Sequence, residues 1–289
     1  MSYTRLRYHL VMATENRQQL LTPEVNTILY PALQNKALDN GGKLLKIGGR
    51  KEHVHMVAVI PPTIAVMDFM GELKTGSSRA INKSDLIKGE FNWQKGYGAL
   101  TLNPIELGAV LRYVADQETH HKKGPLWIDY ERVRCELTEL SVSEDMANES
   151  QMSYTRLRYH LVTATKTREM LLTPPVEAIL YPALHKKALK IGCPLLEANG
   201  GKDHIHLVAA IHPTITVANF MRTVKAGSSG AINKSRLVKK KFHWQKGYGA
   251  FTLEPFNLNG IRHYVINQKE HHKAKDLWSA YEKMTGDSR

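Results

Sequence analysis

Cysteine is scarce in this chain of 289 residues, which contains only Cys135 and Cys193. The two do not occupy matching places in the internal repeat described below, so the sequence predicts neither a disulfide framework nor a cysteine-based zinc site. Long apolar runs are also missing. None approaches the length of a membrane span, and the first residues lack the apolar core of a signal peptide. We therefore expect a protein of the reducing cytoplasm with no membrane partner.

Acidic side chains are outnumbered in this sequence. The 40 Lys and Arg residues exceed the 27 Asp and Glu residues, which gives a formal net charge of +13. Such a surplus predicts a polyanionic partner, with nucleic acid ahead of an anionic membrane surface, although a merely basic soluble protein is the plain alternative. With DNA as the partner, a cytoplasmic protein would be associated with the nucleoid.

The dominant feature of the sequence is one long internal repeat. Residues 2–11 recur as residues 153–162, and the same offset of 151 residues maps Trp127 onto Trp278 without an insertion. Two copies of this length indicate a duplicated domain rather than a solenoid. We predict one domain at residues 1–137, a polar and acidic linker at 138–152, and a second domain at 153–289, as expected from fusion of two tandem genes.

Hydrophobic patterning within one copy predicts the order β-α-β-β-α-β-α-α. Residues 4–12 alternate as a strand with one buried and one basic face. Pro23 opens the first helix, and Thr63 is the predicted cap of the second. The Gly-Ser-Ser run at residues 76–78 would end that second helix or offer backbone N–H groups to a phosphate.

The last helices follow a short strand near residues 97–102. Asn103 and Pro104 start a helix that runs to about residue 121, and a final helix covers roughly residues 126–137. The first six elements are typical of a ferredoxin-like, split βαβ domain. The predicted class is therefore α+β, with two domains in which helices cover one face of an antiparallel sheet and C-terminal helices carry a tyrosine.

A His-x-His pair stands at the start of a predicted strand in each copy. His53 and His55 recur as His204 and His206. Residues two apart share a face of a strand, so both imidazoles point the same way, and two neutral imidazoles can bind a divalent cation. A solvated histidine pair is the plain alternative, but its survival in both copies favours a site.

A tyrosine and a glutamine four residues apart lie on one face of the next helix. Tyr113 and Gln117 recur as Tyr264 and Gln268. A tyrosine hydroxyl can act as a nucleophile where a cation and nearby donors stabilise charge at phosphorus. The glutamine amide oxygen can complete the protein ligands of the metal. Two histidines and one carboxamide suit Mg²⁺ or Mn²⁺ better than a closed structural zinc site.

Taken together, these motifs resemble the HUH-type single-tyrosine transposases of small insertion sequences and their REP-associated relatives. The matching pieces are the Tyr-His-Leu-Val strand, the His-x-His pair, Lys-x-Gly-Ser-Ser, Phe-x-Trp-Gln-Lys-Gly-Tyr-Gly-Ala, and Tyr-Val-x-x-Gln-x-x-His-His. They span nearly all of each copy. The fusion departs from the family, whose members usually carry one domain and dimerise.

The resemblance implies a transposase that cuts and rejoins single-stranded DNA at hairpin-marked ends. Tyr113 and Tyr264 would form a 5′-phosphotyrosine bond and release a 3′-hydroxyl. His53, His55 and Gln117, and likewise His204, His206 and Gln268, would hold Mg²⁺ or Mn²⁺. The fused chain would act as an intramolecular pseudo-dimer.

The sequence leaves open which histidine pair each tyrosine serves. In the family the tyrosine helix often completes the partner's site, so we predict two composite sites. One pairs His53 and His55 with Tyr264 and Gln268, and the other pairs His204 and His206 with Tyr113 and Gln117. The alternative is a site closed within each copy.

Basic and aromatic residues near the predicted loops and strand faces are candidates for DNA contact. Trp93 and Trp244 can stack on bases or pack beneath a turn. The paired histidines at residues 120–121 and 271–272 can assist proton transfer or stay on the surface. The basic candidates are Arg5, Arg7, Lys51, Lys74, Arg79, Lys83, Arg156, Arg158, Lys202, Lys225, Lys234, Arg236, Lys239, Lys240 and Lys241.

Two other functions compete with the transposase interpretation. A domesticated domain would bind DNA or RNA hairpins without cutting them, although retention of the full His, His, Tyr and Gln set in both copies argues against it. A histidine-dependent nucleotide hydrolase or phosphoesterase would typically need a third alternating histidine or paired His-x-Thr motifs, and Val57 and Val208 stand where the third histidine would be.

Overall fold

The structure is a computed structural model that describes residues 2–103, 107–117, 127–133, 152–274, 278–279 and 282–284. The chain forms two compact units. The first unit is Leu6–Arg156, and the second unit is Met1–Arg5 together with Leu157–Arg289. Among the helices in the described ranges, none combines the length and apolarity that crossing a bilayer requires.

The two repeats share the succession of elements β-β-α-β-β-α-β-α, and each has one further described helix that lies at a different place in the repeat. In the first repeat these are β1 (Tyr3–Arg5), β2 (Tyr8–Ala13), α1 (Pro23–Asp39), β3 (Lys43–Arg50), β4 (His53–Val59), α2 (Val66–Asn82), β5 (Gly98–Thr101), α3 (Leu107–Ala115) and α4 (Ile128–Glu131). In the second they are β6 (Tyr154–Arg156), β7 (Arg158–Ala164), α5 (Pro174–Lys190), β8 (Leu195–Gly200), β9 (His204–Ala210), α6 (Val217–Ser235), β10 (Gly249–Thr252), α7 (Asn259–Ile266) and α8 (Gln268–Ala274).

Both units contain a five-stranded mixed sheet. The first has the order β3-β4-β2-β5-β6, and the second has the equivalent order β8-β9-β7-β10-β1. The first four strands of each pair antiparallel, in the order of a ferredoxin-like sheet. The predicted fold class is confirmed.

The fifth strand of each sheet comes from the other repeat. β1 pairs in parallel with β10, and β6 pairs in parallel with β5. The stretch at residues 4–12 is therefore two strands in two sheets rather than one. Without this addition β5 and β10 would be open edges, and the added strand satisfies their backbone groups.

In the first unit, two short helices pack on the face of the sheet that carries the histidines. α3 contacts β3 and β4, and α4 contacts β2 and β5. Close approach depends on Gly48, where an added Cβ would lie 1.9 Å from the carbonyl oxygen of Val114. The predicted basic face of the first strand is wrong from Tyr8 onward, because His9 and Val11 are buried beneath this layer.

Two local helix predictions also need correction. α2 begins after Ala65 rather than Thr63, and it continues through residues 76–78 to Asn82. The backbone N–H groups of that Gly-Ser-Ser run lie inside the helix, where they are not available to a phosphate. Residues 104–106, 120–121, Cys135 and the predicted linker up to residue 151 lie outside the described residues.

Candidate active site

The two histidines of each His-x-His pair lie side by side on one face of the sheet, fully covered. His53 and His55 open β4, and their ring centroids are 4.9 Å apart in an edge-on arrangement. His204 and His206 repeat the geometry at 5.1 Å in β9. All four side chains are at most 1% exposed. The solvated-pair alternative is wrong for this structure.

Hydrogen bonds at Nδ1 fix the orientation of all four imidazoles. His53 Nδ1 lies 3.1 Å from the Glu52 carboxylate, and His55 Nδ1 lies 2.9 Å from His9 Nε2. In this arrangement the Nε2 atoms of the pair face the same space. Such outer partners set the tautomer and direction of metal-binding histidines.

The second copy repeats these outer contacts. His204 Nδ1 lies 2.7 Å from Asp203, and His206 Nδ1 lies 2.9 Å from His160 Nε2. Burial, followed by the neighbouring imidazole, lowers the pKa of His160 well below its ordinary value, as it does for His9. Both supporting histidines are therefore neutral at physiological pH.

Each tyrosine of the predicted set lies against the histidine pair of its own copy. The ring of Tyr113 is centred 6.1 Å from that of His55, and the ring of Tyr264 is centred 6.1 Å from that of His206. The structure therefore shows the closed arrangement within each copy. The composite pairing of His53 with Tyr264 is not the arrangement that this structure adopts.

A tryptophan lies over each tyrosine. Trp127 stacks on Tyr113 with centroids 4.6 Å apart, and Trp278 stacks on Tyr264 at 4.4 Å. The Trp278 backbone N–H also donates to the Tyr264 hydroxyl over 3.1 Å. The stacked indoles help to leave both tyrosines at most 2% exposed.

A glutamate from the C-terminal part of each copy enters the site. The Tyr113 hydroxyl donates to Glu131 Oε1, while Glu131 Oε2 lies 3.3 Å from His55 Nε2 and 3.5 Å from His53 Nε2. The Tyr264 hydroxyl donates to Glu282 Oε1 over 2.5 Å. Glu282 Oε1 lies 3.4 Å from His206 Nε2, and Glu282 Oε2 lies 3.8 Å from His204 Nε2.

The electrostatics of this cluster favour a phenol beside a carboxylate. Burial, together with the hydrogen bond to Glu282, raises the pKa of Tyr264 to about 12. Burial alone would raise the pKa of Glu282, but hydrogen bonding and charge from His206 outweigh it and lower that pKa to about 2. Tyr113 and Glu131 shift in the same directions for the same reasons. The tyrosines therefore need a further positive charge nearby before they become good nucleophiles.

The glutamines predicted as ligands are buried next to the tyrosines. Gln117 is 1% exposed, its Nε2 lies 3.4 Å from the Tyr113 carbonyl oxygen, and its Oε1 has no hydrogen-bond partner among the described residues. Oε1 of Gln268 likewise has no hydrogen-bond donor among the described residues. A buried amide oxygen without a donor is available to a cation.

The potential ligand atoms of the first cluster, His53, His55 and Glu131, all lie within 4.8 Å of one another. The second cluster joins His204, His206 and Glu282 with His272, whose ring is centred 4.6 Å from that of His204. Buried imidazoles held at Nδ1, beside a carboxylate, fit the divalent cation that the sequence motif implies.

Two of the predicted DNA-contacting lysines hold a loop instead of projecting from the surface. Lys74 Nζ donates to the carbonyl of Gly96 over 3.0 Å. Lys225 Nζ donates to the carbonyls of Gln245 and Gly247 over 2.7 and 3.0 Å. Burial lowers the pKa of Lys225 to about 8.

Of the two possibilities for Trp93 and Trp244, stacking on bases or packing beneath a turn, the structure shows packing within each unit. Trp93 Nε1 donates to Ser77 Oγ over 2.9 Å, and Trp244 Nε1 donates to Ser228 Oγ over 3.0 Å. Among the other basic candidates, the exposed Lys234, Arg236 and residues 239–241 follow one another at the end of α6 and beyond it.

Several residues of the site were absent from the sequence prediction of ligands and nucleophile. They are His9, Glu52, Trp127 and Glu131, with their counterparts His160, Asp203, Trp278 and Glu282. All four pairs are related by the offset of the repeat. The sequence signal that could have identified them is their repetition at that offset. Three of the pairs are identical in both copies, and the Glu52 pair has a carboxylate in both.

The family match and the similar proteins agree with each other. The family described as "Transposase IS200 like" matches residues 2–117 and again residues 153–268. ISDra2 transposase TnpA of Deinococcus radiodurans is 27% identical over 118 residues, covering 39% of this chain and 84% of the relative. The transposase for insertion sequence element IS200 of Salmonella typhimurium is 29% identical over 136 residues, covering 44% and 88%.

Two solved structures are similar to parts of the chain. One is described as a transposase from Deinococcus radiodurans R1, with 28% identity and a TM-score of 0.33, covering 40% of this chain and 93% of that one. The other is a REP-associated tyrosine transposase bound to a REP hairpin, with 16% identity and a TM-score of 0.33, covering 40% and 68%. Because the family match extends over both repeats, the chain belongs to the IS200-like transposase family and carries the family's domain twice.

Proposed function

We propose that this transposase cuts and rejoins single-stranded DNA through a covalent tyrosine intermediate. The observation that carries the proposal is that the tyrosine hydroxyl and the histidine pair of each unit lie around the same glutamate side chain. In each unit one carboxylate contacts both, so a phosphate bound beside the histidines would meet the hydroxyl. The family membership supports the same activity.

The residues of each unit have distinct proposed roles. Oη of Tyr113 or Tyr264 attacks the phosphorus, the bond from phosphorus to the 3′ oxygen breaks, and a 5′-phosphotyrosine and a 3′-hydroxyl result. The histidine pair and Gln117 or Gln268 would hold Mg²⁺ or Mn²⁺, which polarises the phosphate. Exposed basic residues, foremost Lys234, Arg236 and residues 239–241, would bind the DNA backbone. Hairpin-marked ends are the proposed substrate.

The tandem arrangement supplies two such sites in one molecule. Because the units are covalently linked, a second cleavage needs no second chain to associate, and the local concentration of one site relative to the other is set by the chain itself. We therefore propose that the protein acts as a pseudo-dimer in which each tyrosine serves the histidine pair of its own copy.

Trapping a protein–DNA adduct tests this function. Labelled single-stranded hairpin DNA is incubated with the full chain and Mn²⁺, and covalent adducts are separated under denaturing conditions. We expect Tyr113→Phe and Tyr264→Phe each to reduce the adduct and the double variant to abolish it. Adduct formation that survives in the double variant would refute the nucleophile assignment. Tight binding without any adduct in the wild type would favour a hairpin-binding protein.

A further inference from the structure

The carboxylate in each site lies outside the part of the chain that the family match covers. The matched ranges end at residues 117 and 268, whereas Glu131 and Glu282 come later in each copy. Both nonetheless contact the histidine pair and the tyrosine hydroxyl of the same unit. The structure thus adds a residue to the site that the family's matched segment does not contain.

In the first unit the spacing of the atoms is close to that of ligands around one cation, and in the second unit the glutamate oxygens lie 3.4 and 3.8 Å from the two Nε2 atoms. Glu131 Oε2 lies 3.3 and 3.5 Å from the two Nε2 atoms of the histidine pair. Ligand atoms with metal bonds of about 2.1 Å lie about 3.0 to 3.4 Å apart when they share an ion. These separations are long for a charge-assisted hydrogen bond, which is about 2.7 to 2.9 Å.

Charge gives a second argument. His9 Nε2 and Glu52 engage the Nδ1 atoms of the pair, so a cation bound at the two Nε2 atoms would have two imidazole ligands that bring no negative charge. A divalent cation in so buried a place loses much of its hydration. An anionic oxygen ligand offsets that loss, and hard cations such as Mg²⁺ and Mn²⁺ prefer oxygen.

We propose that Glu131 and Glu282 are anionic ligands of the divalent cation and that their contact with the hydroxyls of Tyr113 and Tyr264 holds each nucleophile beside it. This inference deepens the proposed function and rests on it. In the first unit the two carboxylate oxygens divide the tasks, since Oε1 accepts the tyrosine hydrogen bond while Oε2 faces the imidazoles.

Mn²⁺ binding by the full chain tests the proposal without relying on activity. Titration calorimetry, with the electron paramagnetic resonance signal of free Mn²⁺ as a second measure, should show two sites in the wild type. Glu131→Gln should weaken one site by about tenfold or more, and Glu282→Gln should weaken the other. Each glutamine keeps an oxygen that can accept the tyrosine hydrogen bond, so a merely structural role would leave the affinity unchanged.

Asp129→Asn is the matched control. Asp129 lies on α4 with Glu131, but its carboxylate accepts a hydrogen bond from the Tyr154 hydroxyl over 2.7 Å and is not part of the cluster. The Asp129→Asn substitution removes one negative charge from the same short helix as Glu131→Gln does, and we expect it to leave the Mn²⁺ affinity unchanged. Far-UV circular dichroism checks that all variants are folded.

The outcomes separate this proposal from the function on which it rests. Unchanged affinity in Glu131→Gln, an equal loss in Asp129→Asn, or a wild type that binds no Mn²⁺ would overturn the ligand assignment. If Glu131→Gln binds Mn²⁺ normally while the wild type still forms the DNA adduct, the ligand role fails and the function stands. If the expected affinity loss occurs but no adduct forms, the ligand role stands and the function fails.

Discussion

His9 Nε2 lies 2.9 Å from His55 Nδ1, and neither imidazole is exposed to solvent. The contact spans two neighbouring strands, and the ring of Tyr130 is centred 4.9 Å from that of His9. If His55 binds a cation through Nε2, its Nδ1 must carry the ring proton. The Nδ1–H then donates a hydrogen bond to Nε2 of His9. The second copy holds the same relationship between His160 and His206.

The first prediction follows from this contact. His9→Leu removes the acceptor, so His55 loses the partner that fixes its tautomer and ring orientation. We expect the Mn²⁺ affinity of the first site to fall by about 10- to 100-fold in calorimetry, with the second site unaffected.

His9→Gln is the corresponding control, because its amide oxygen can accept the same hydrogen bond. It should recover part of the lost affinity. Equal affinity in His9→Leu and the wild type would show that the imidazole contact does not support metal binding.

Gly98 provides a second prediction, on how α4 is positioned. A Cβ added at Gly98 would lie 2.1 Å from the carbonyl oxygen of Arg132, next to Glu131. Gly98→Ala must therefore displace the segment that carries the carboxylate. We expect a loss of about 1–3 kcal/mol in the free energy of unfolding and weaker Mn²⁺ binding at the first site.

Gly71→Ala is the matched control for this change. An added Cβ at Gly71 meets no atom within 4 Å, and the residue lies inside α2. Urea unfolding should show no loss and a gain of up to about 0.5–1 kcal/mol, because alanine is the better helix former. A Gly98→Ala variant as stable as Gly71→Ala would contradict the predicted overlap.

The exchanged strand gives a third prediction. β1 pairs with β10, and the backbone N–H of Tyr3 donates to the Tyr248 carbonyl over 3.0 Å. Deleting residues 2–5 from the full chain exposes the edge of β10. We expect faster amide hydrogen exchange in β10 and unchanged exchange in β5, whose partner β6 remains. Equal exchange in β10 before and after the deletion would rule out this pairing in solution.

Lys225 gives a prediction about pH. Its pKa is lowered to about 8 by burial, so between pH 8 and about 10.5 the folded protein holds fewer protons at this group than the unfolded chain. Stability contributed by this group must then rise with pH across that window and be lowest below pH 8.

The measurement compares wild type with Lys225→Met in urea between pH 7 and 10. The stability of the wild type relative to the variant should increase as the pH passes 8. Lys246→Met, at an exposed position in the loop that Lys225 holds, is the control and should show no such trend. A flat difference for Lys225→Met would contradict the prediction.

Local rules explain why much of the fold was predictable. Alternation and capping placed the strands and helices in ferredoxin-like order, and Pro23 does begin α1. The prediction that the Gly-Ser-Ser run ends the second helix was wrong, although glycine and serine are often found at helix ends. Here Gly76 stays helical, where an added Cβ would lie 2.4 Å from the Lys36 side chain, and the Ser77 hydroxyl donates to the Leu73 carbonyl. Packing between α1 and α2 overrides local propensity.

The sequence by itself determined the duplication, the ferredoxin-like succession of elements and the sharing of one strand face by His53 and His55, because a repeat offset and the periods of helices and strands are properties of the chain alone. Only the tertiary structure decided that Tyr113 lies against its own histidine pair, that Glu131 enters the site and that β1 joins β10. Those relationships join residues far apart in sequence, and no local periodicity encodes them. They follow from which surfaces bury each other and which strand edge remains to be paired.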